Sequence, residues 1–277
     1  MFEELYEPLP DPMRYWNRLG IDPPASALDR KELDRILLAH QRSIPFENLD
    51  ACDYRIPISL GIVDMFNKII VGARGGYCFE LNALFCALLK DTGFDAKPCF
   101  ARSLKDRGYV QPVAHRGTIV TIDGQKLFCD VGYGGPMPPC SLPLEDGLEV
   151  STLGQVFRIE RMDALWWRIL YLGRAASTDQ PSEGSRAAKP EPVIAFMDAV
   201  QDEVDFVALS LYCATDPTSI FTRQRMINKR TEDGSVSITA DRFTKTEGAS
   251  KEQRVIGSER EFRELLLEHF GIELPEG

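Results

Sequence analysis

The residues Arg74-Gly75-Gly76-Tyr77-Cys78-Phe79-Glu80-Leu81-Asn82 join an irregular segment to an amphipathic helix and set a cysteine at the junction. Beyond Cys78, Leu81, Leu84, Phe85, Leu88 and Leu89 recur at helical spacing, and Gly93 is a natural stop. A thiol in the first turn of a helix faces unpaired backbone N–H groups and the positive end of the macrodipole, which favour thiolate over thiol. Arg74 is a further cation close by. A cysteine is most often a small buried hydrophobe, and seven occur here. What sets Cys78 apart is the glycine pair before it, which permits a close backbone approach that packing alone does not require. Cys78 is therefore a candidate nucleophile in need of a base.

Three histidines, His40, His115 and His269, compete for that role. His115 opens the β-branched segment His115 to Ile122, Asp123-Gly124 follows as a two-residue hairpin turn, and Gln125 to Val131 is the return strand. With Ile122 opposite Gln125, His115 faces Gly132 and Gly117 faces Asp130, so Asp130 is the diagonal, same-face neighbour of His115. Such neighbours lie about 7–8 Å apart at the backbone, within reach of an imidazole and a carboxylate leaning together, and the glycine opposite each leaves room. A one-residue slip would part the two side chains. His40 shares a helical face with Leu33, Ile36 and Leu37, and His269 ends a helix, where a cation complements the dipole; both read as structural. Cys78, His115 and Asp130 then form a thiol triad in which His115 takes the proton and Asp130 orients the imidazolium.

Four blocks, Ile44-Pro45-Phe46-Glu47-Asn48-Leu49, the Arg74 to Asn82 stretch, His115-Arg116 and Asp130-Val131-Gly132-Tyr133-Gly134, resemble in order the signature blocks of the arylamine N-acetyltransferase family. The likeness weakens after about Leu172 and returns at Asp205-Phe206 and Thr215 to Phe221. It implies an α+β fold with a papain-like cysteine triad: an N-terminal helical bundle carrying the nucleophile (1–94), a central β-barrel carrying the histidine and aspartate and ending in an exposed strap (95–192), and a C-terminal α/β lid (193–277). It also implies a two-step reaction. Acetyl-CoA, as co-substrate, acetylates Cys78, and an arylamine, arylhydrazine or arylhydroxylamine then takes the acetyl group. By the same resemblance Phe46 and Tyr133 line the acceptor pocket, Gly134, Gly135, Thr215 and Ser219 contact coenzyme A, and Glu47 pairs with Arg74 to hold the nucleophile loop. Ser210 and Cys129 depart from the family pattern, as does an end at Gly277 without the tail of vertebrate members. An amide synthase of the same fold, a papain-like or transglutaminase-like thiol hydrolase, and an inactive binding protein are the alternatives.

Local patterning gives the same order of parts. Helical periodicity covers Leu28 to Ile44, Ile62 to Ile70 and the Cys78 helix; strands follow from Ala96 to Leu172, including Gln155 to Glu160 and Ala164 to Leu172. Arg174 to Pro192, rich in Ser, Ala, Pro and charge, reads as the exposed strap. A helix near Glu203 to Tyr212, strands flanking Glu232-Asp233-Gly234 and a final helix opened by the capping box Ser258-Glu259-Arg260-Glu261 complete the chain.

The 277 residues are 44% hydrophobic, enough for real cores, and the net charge of −10 denies the chain the broad basic field that nucleic acids need. The acidic start Met1-Phe2-Glu3-Glu4-Leu5 is unlike a signal peptide, and no apolar run approaches about 20 residues. The expectation is a cytoplasmic protein with small-molecule partners, neither membrane nor nucleic acid, and no metal. The seven cysteines form no CxxC pair, which fits reduced thiols; Cys86 and Cys129 read as packing residues.

Overall fold

Two aspartates start the first two helices. The computed structural model describes residues 7–25, 28–105, 110–135, 137–174, 189–248 and 250–274. In it Asp11 accepts from the Arg14 N–H to open α1 (Pro12–Leu19), with proline where its missing N–H costs no hydrogen bond. Asp29 likewise caps α2 (Arg30–Ser43) through the Glu32 N–H. A two-residue strand, β1 (Phe46–Glu47), follows, then α3 (Ile62–Phe66), which runs on into a π turn at Asn67–Val71. In α4 (Cys78–Thr92) every residue from Cys78 to Leu89 is buried. This helix is thus a core helix and not the amphipathic one expected, because its polar residues Glu80 and Asn82 also point inward.

Eight antiparallel strands come next: β2 (Asp95–Ser103), β3 (His115–Ile122), β4 (Gln125–Cys129), β5 (Leu142–Pro143), β6 (Glu149–Thr152), β7 (Gln155–Arg161), β8 (Trp166–Arg174) and β9 (Glu191–Met197). They form one sheet in the order β5-β4-β3-β2-β9-β8-β7-β6, a nearly closed barrel. Its interior is aromatic, with Phe128 of β4 stacked on Phe196 of β9 at 3.9 Å. The expected break at 192/193 falls inside β9, which continues the barrel to Met197. Most of the expected strap, 175–188, lies outside the described residues, and Glu191 and Pro192 are already strand.

Beyond the barrel stand α5 (Asp205–Thr215) and α6 (Ile220–Arg223), then β10 (Met226–Arg230), β11 (Gly234–Thr239), β12 (Arg242–Glu247) and β13 (Ser250–Val255). The last helix, α7 (Glu259–Leu265), ends in a π turn at Leu266–Phe270. Ser258 caps α7 as expected, but Glu261 reaches back to the Gly257 N–H, not to that of Ser258. The second sheet runs β1-β10-β11-β12-β13, so a strand from beside the N-terminal helices completes the C-terminal sheet. One core joins α1 to α4 with Val120 and Leu127 of the barrel and with Phe206 and Cys213 of α5. Among the described residues no helix is long and apolar enough to cross a membrane.

Candidate active site

The loop before Cys78 is fixed by charge and by close packing. A Cβ on Gly75 would lie 2.2 Å from the Pro45 carbonyl oxygen, so no larger residue fits without moving the loop. Glu47 of β1 donates its N–H to the Gly76 carbonyl at 2.9 Å. Arg74 grips Glu47 Oε1 at 2.7 Å and Asp50 Oδ1 at 2.8 Å, and Lys68 lies 2.7 Å from both Asp50 and Glu80. Glu80 in turn accepts from the Tyr77 N–H at 3.0 Å, and the Tyr77 hydroxyl bonds Ser210 of α5. Burial alone would discharge Lys68, but Glu80, Glu47 and Asp50 outweigh it and hold its pKa above the usual lysine value. The Arg74 charge is committed to the Glu47 and Asp50 carboxylates.

The β3–β4 hairpin has the expected register, with Ile122 opposite Gln125 and Thr118 opposite Cys129. Asp130 follows the last residue of β4, free of the ladder, and its Oδ2 lies 2.6 Å from His115 Nε2. Its Oδ1 accepts from Asn82 Nδ2 at 3.0 Å and from the Gly132 N–H at 2.8 Å. The room beside Gly117 is filled by the Phe128 ring, which a Cβ there would meet at 2.4 Å, so strand exit and not that space lets the carboxylate turn. Opposite His115 the expectation is met differently: a Cβ on Gly132 would lie 2.9 Å from the Cys78 Cα, so this glycine lets the hairpin end against the nucleophile. Cys78 Sγ is 4.0 Å from the carbonyl of Ala114, the residue before His115.

Cys78 is 1% exposed. That burial pushes its thiol pKa well up, and the nearby Cys213 and Asp130 add to the rise. The backbone N–H groups of Phe79 and Cys78 pull the other way. The backbone at the helix start favours the thiolate, but burial outweighs it, so ionisation needs a proton acceptor at hand. With Nε2 committed to Asp130, His115 offers Nδ1.

Cys78 and His115 line one cavity of about 150 Å³ together with Phe46, Tyr133, Gly134 and Gly135. Tyr133 stands edge-on to the His115 ring, and its hydroxyl donates to the Val193 carbonyl at 2.8 Å. Thr215 and Ser219 are placed differently. Their hydroxyls donate to the carbonyls of Leu211 and Cys213, and from that segment it is Ile220 and Phe221 that line the cavity. A second cavity of about 950 Å³, between the barrel and the C-terminal sheet, shares Phe46, Tyr133, Gly134 and Gly135 with the first.

A family model described as N-acetyltransferase matches residues 29–277. The chain belongs to the arylamine N-acetyltransferase family. It is 27% identical over 270 residues to the arylamine N-acetyltransferase / N-hydroxyarylamine O-acetyltransferase of Salmonella typhimurium, covering 93% of this chain and 87% of that protein. A solved arylamine N-acetyltransferase structure from Salmonella typhimurium superposes with a TM-score of 0.84 at 25% identity, over 98% of this chain and 94% of that one. The Mycobacterium marinum arylamine N-acetyltransferase solved in complex with CoA gives 0.83 at 22% identity, over 95% and 93%.

In this arylamine N-acetyltransferase family chain, sequence reasoning gave no role to three residues that hold the site. Asn82 was detectable, as a polar residue one turn after Cys78 in an apolar helix. Gln41, which donates to the Asp130 carbonyl at 2.9 Å, and Lys68 come from distant segments with no local signal.

Proposed function

We propose that this chain transfers an acetyl group from acetyl-CoA through an acetyl-cysteine at Cys78 to an arylamine, arylhydrazine or arylhydroxylamine. The observation that carries the reading is the 2.6 Å His115–Asp130 hydrogen bond beside a buried Cys78 on a shared cavity. His115 Nδ1 removes the thiol proton, and the imidazolium is stabilised by Asp130. The sulfur attacks the thioester carbonyl. The tetrahedral oxyanion collapses, the carbon–sulfur bond to coenzyme A breaks, and His115 returns the proton to the departing thiolate. In the second half the acceptor nitrogen attacks the acetyl carbon, His115 takes its proton, and the Cys78–acetyl bond breaks as the sulfur recovers that proton.

The lining supports an aromatic acceptor. Phe46, Tyr133 and Phe221 surround the cavity, where an apolar ring is desolvated at little cost, and a weakly basic aromatic amine is neutral and nucleophilic near pH 7. The backbone N–H groups near the sulfur are natural donors to the oxyanion. The chain's similarity to the Salmonella arylamine N-acetyltransferase / N-hydroxyarylamine O-acetyltransferase supports acetyl transfer and the acceptor class.

Mass spectrometry after mixing with acetyl-CoA alone tests the first half: the acetyl group is expected on the Cys78 peptide. Coenzyme A release measured with and without an arylamine tests the second. Acceptor-dependent release fits transfer, and acceptor-independent release would replace this reading with a thiol hydrolase.

A further inference from the structure

Arg230 ends β10 half-buried in the wall of the 950 Å³ cavity. Its Nε donates to Gln41 Oε1 at 2.8 Å and its Nη2 to the Met137 carbonyl at 2.5 Å. Both acceptors are neutral. Arg42 stands near enough that its charge, after burial itself, helps to pull the Arg230 pKa down to about 10. Arg42 has a buried Nε without a partner and gives Nη2 to the Glu232 carbonyl. Among the described residues neither arginine forms an ion pair, in a chain with 42 acidic residues to 32 basic ones. Of the carboxylates that share the lining, Glu232, Asp233 and Glu247 are exposed, and the buried Asp130 is already bonded to His115, Asn82 and the Gly132 N–H. A half-buried guanidinium left to neutral acceptors, with the Arg42 charge nearby, raises the free energy of the empty protein, and an arriving anion lowers it again.

We propose that Arg230, backed by Arg42, seats a phosphate group of the acyl donor in the large cavity, so that the donor approaches Cys78 past the Tyr133–Gly135 turn common to both cavities. This rests on coenzyme A being the donor. The chemistry fits because a guanidinium fork matches phosphate oxygens in pairs, and because a cavity of this size holds the body of a large nucleotide thioester. Gln41 then gains a second meaning. It accepts from Arg230 and donates to the Asp130 carbonyl, so one side chain links the phosphate seat to the turn that holds the triad carboxylate.

Calorimetric titration of the whole protein with coenzyme A, pantetheine and inorganic pyrophosphate tests the assignment. Arg230→Gln is expected to weaken coenzyme A and pyrophosphate about 10- to 100-fold, with pantetheine changed less than about twofold and Arg230→Lys recovering part of the loss. Equal weakening of pantetheine and coenzyme A, or no weakening of either, overturns the seat. If Arg230→Gln does not fold, phenylglyoxal modification of the wild-type protein, mapped by mass spectrometry, decides instead. Protection of Arg230 by coenzyme A but not by pantetheine supports the seat, and absence of protection overturns it. Wild-type protein that binds no coenzyme A overturns the donor reading and the seat with it, whereas binding that survives Arg230→Gln unchanged overturns the seat alone.

Discussion

Asn82, one helical turn beyond Cys78, donates through Nδ2 to Asp130 Oδ1 at 3.0 Å and to the Arg116 carbonyl at 2.7 Å, while its Oδ1 accepts from the Val131 N–H at 3.0 Å. The helix α4 that starts at Cys78 and the hairpin that carries His115 and Asp130 are thus tied by a single amide. Asn82→Ala leaves the Val131 N–H and Asp130 Oδ1 short of partners at a cost of about 1–3 kcal/mol. The acylation rate is expected to fall further than stability does, roughly 10- to 100-fold, since about 1 Å of misplacement has that effect. Stopped-flow acylation with p-nitrophenyl acetate, set beside a thermal melt, separates the two.

Asp130→Asn keeps the size of the side chain and removes its charge. The imidazolium loses its partner and the ring its fixed tautomer, so acylation is expected to slow by on the order of 10³-fold or more, as when other triads lose this group. The circular dichroism spectrum and melting temperature should stay near those of the wild type. Unchanged acylation kinetics would show that the His115–Asp130 contact has no part in catalysis.

Cys78 alone is a poor acid, because burial and nearby negative charge raise its thiol pKa well above the usual value. In His115→Ala, alkylation of Cys78 by iodoacetamide should therefore be nearly absent at pH 7 and climb only above about pH 9. The wild type, with His115 as the proposed proton acceptor, should react at neutral pH. Alkylation rates followed from pH 5 to 10 for both proteins test this, and coincident profiles would sink the role given to His115.

Lys68 stands between Asp50 and Glu80 with most of its side chain out of water. Lys68→Met leaves buried Glu80 without its cation and Asp50 with Arg74 alone, and a loss of about 3–5 kcal/mol is expected in urea unfolding. Part of the network titrates with acid. The Asp50 carboxyl is held below its usual value by Lys68 and Arg74 against burial, so its contribution is complete above about pH 4 and disappears as pH falls through the lowered folded value. Asp50→Asn should flatten the acid limb of stability, read from melts between pH 3 and 6.

Gly75→Ala drives a methyl group against the Pro45 carbonyl and, at 2.8 Å, the Glu47 Cγ. Neither neighbour is free, since Glu47 is bonded to Arg74, Gly76 and Leu49. The loop must shift, with an expected loss of about 1–3 kcal/mol and a drop in acylation. Gly20→Ala, at an open site where only the positive φ is strained, should destabilise without touching the acylation rate.

Where a turn or a period fixes geometry, the sequence was legible. Asp123-Gly124 sets both residues at positive φ and with them the hairpin register, which is why His115 and Asp130 could be paired before any coordinates. The Cys78 helix, its stop at Gly93 and the Ser258 cap were equally local. The strand β13 was invisible because all six residues are exposed and no alternation exists to be seen. The end of the barrel was misplaced because Pro192 looks like a breaker, although it lies next to a register shift in the β8–β9 ladder, where its missing N–H is tolerated. How strongly burial opposes the ionisation of Cys78 was not legible. Burial depends on α5 and the hairpin covering the helix start, and no local pattern reports that.

The two-residue strand Phe46–Glu47 is paired on one side with Asn228 and Ile227, and on the other bridges Gly76 in the nucleophile loop. A chain still leaving the ribosome has only the Gly76 bridge for that strand until Ile227 and Asn228 emerge. The loop ahead of Cys78 accordingly gains its outer support only once residues 227 and 228 are made, so a gene cut ahead of that point would leave the segment carrying Cys78 braced on one side alone.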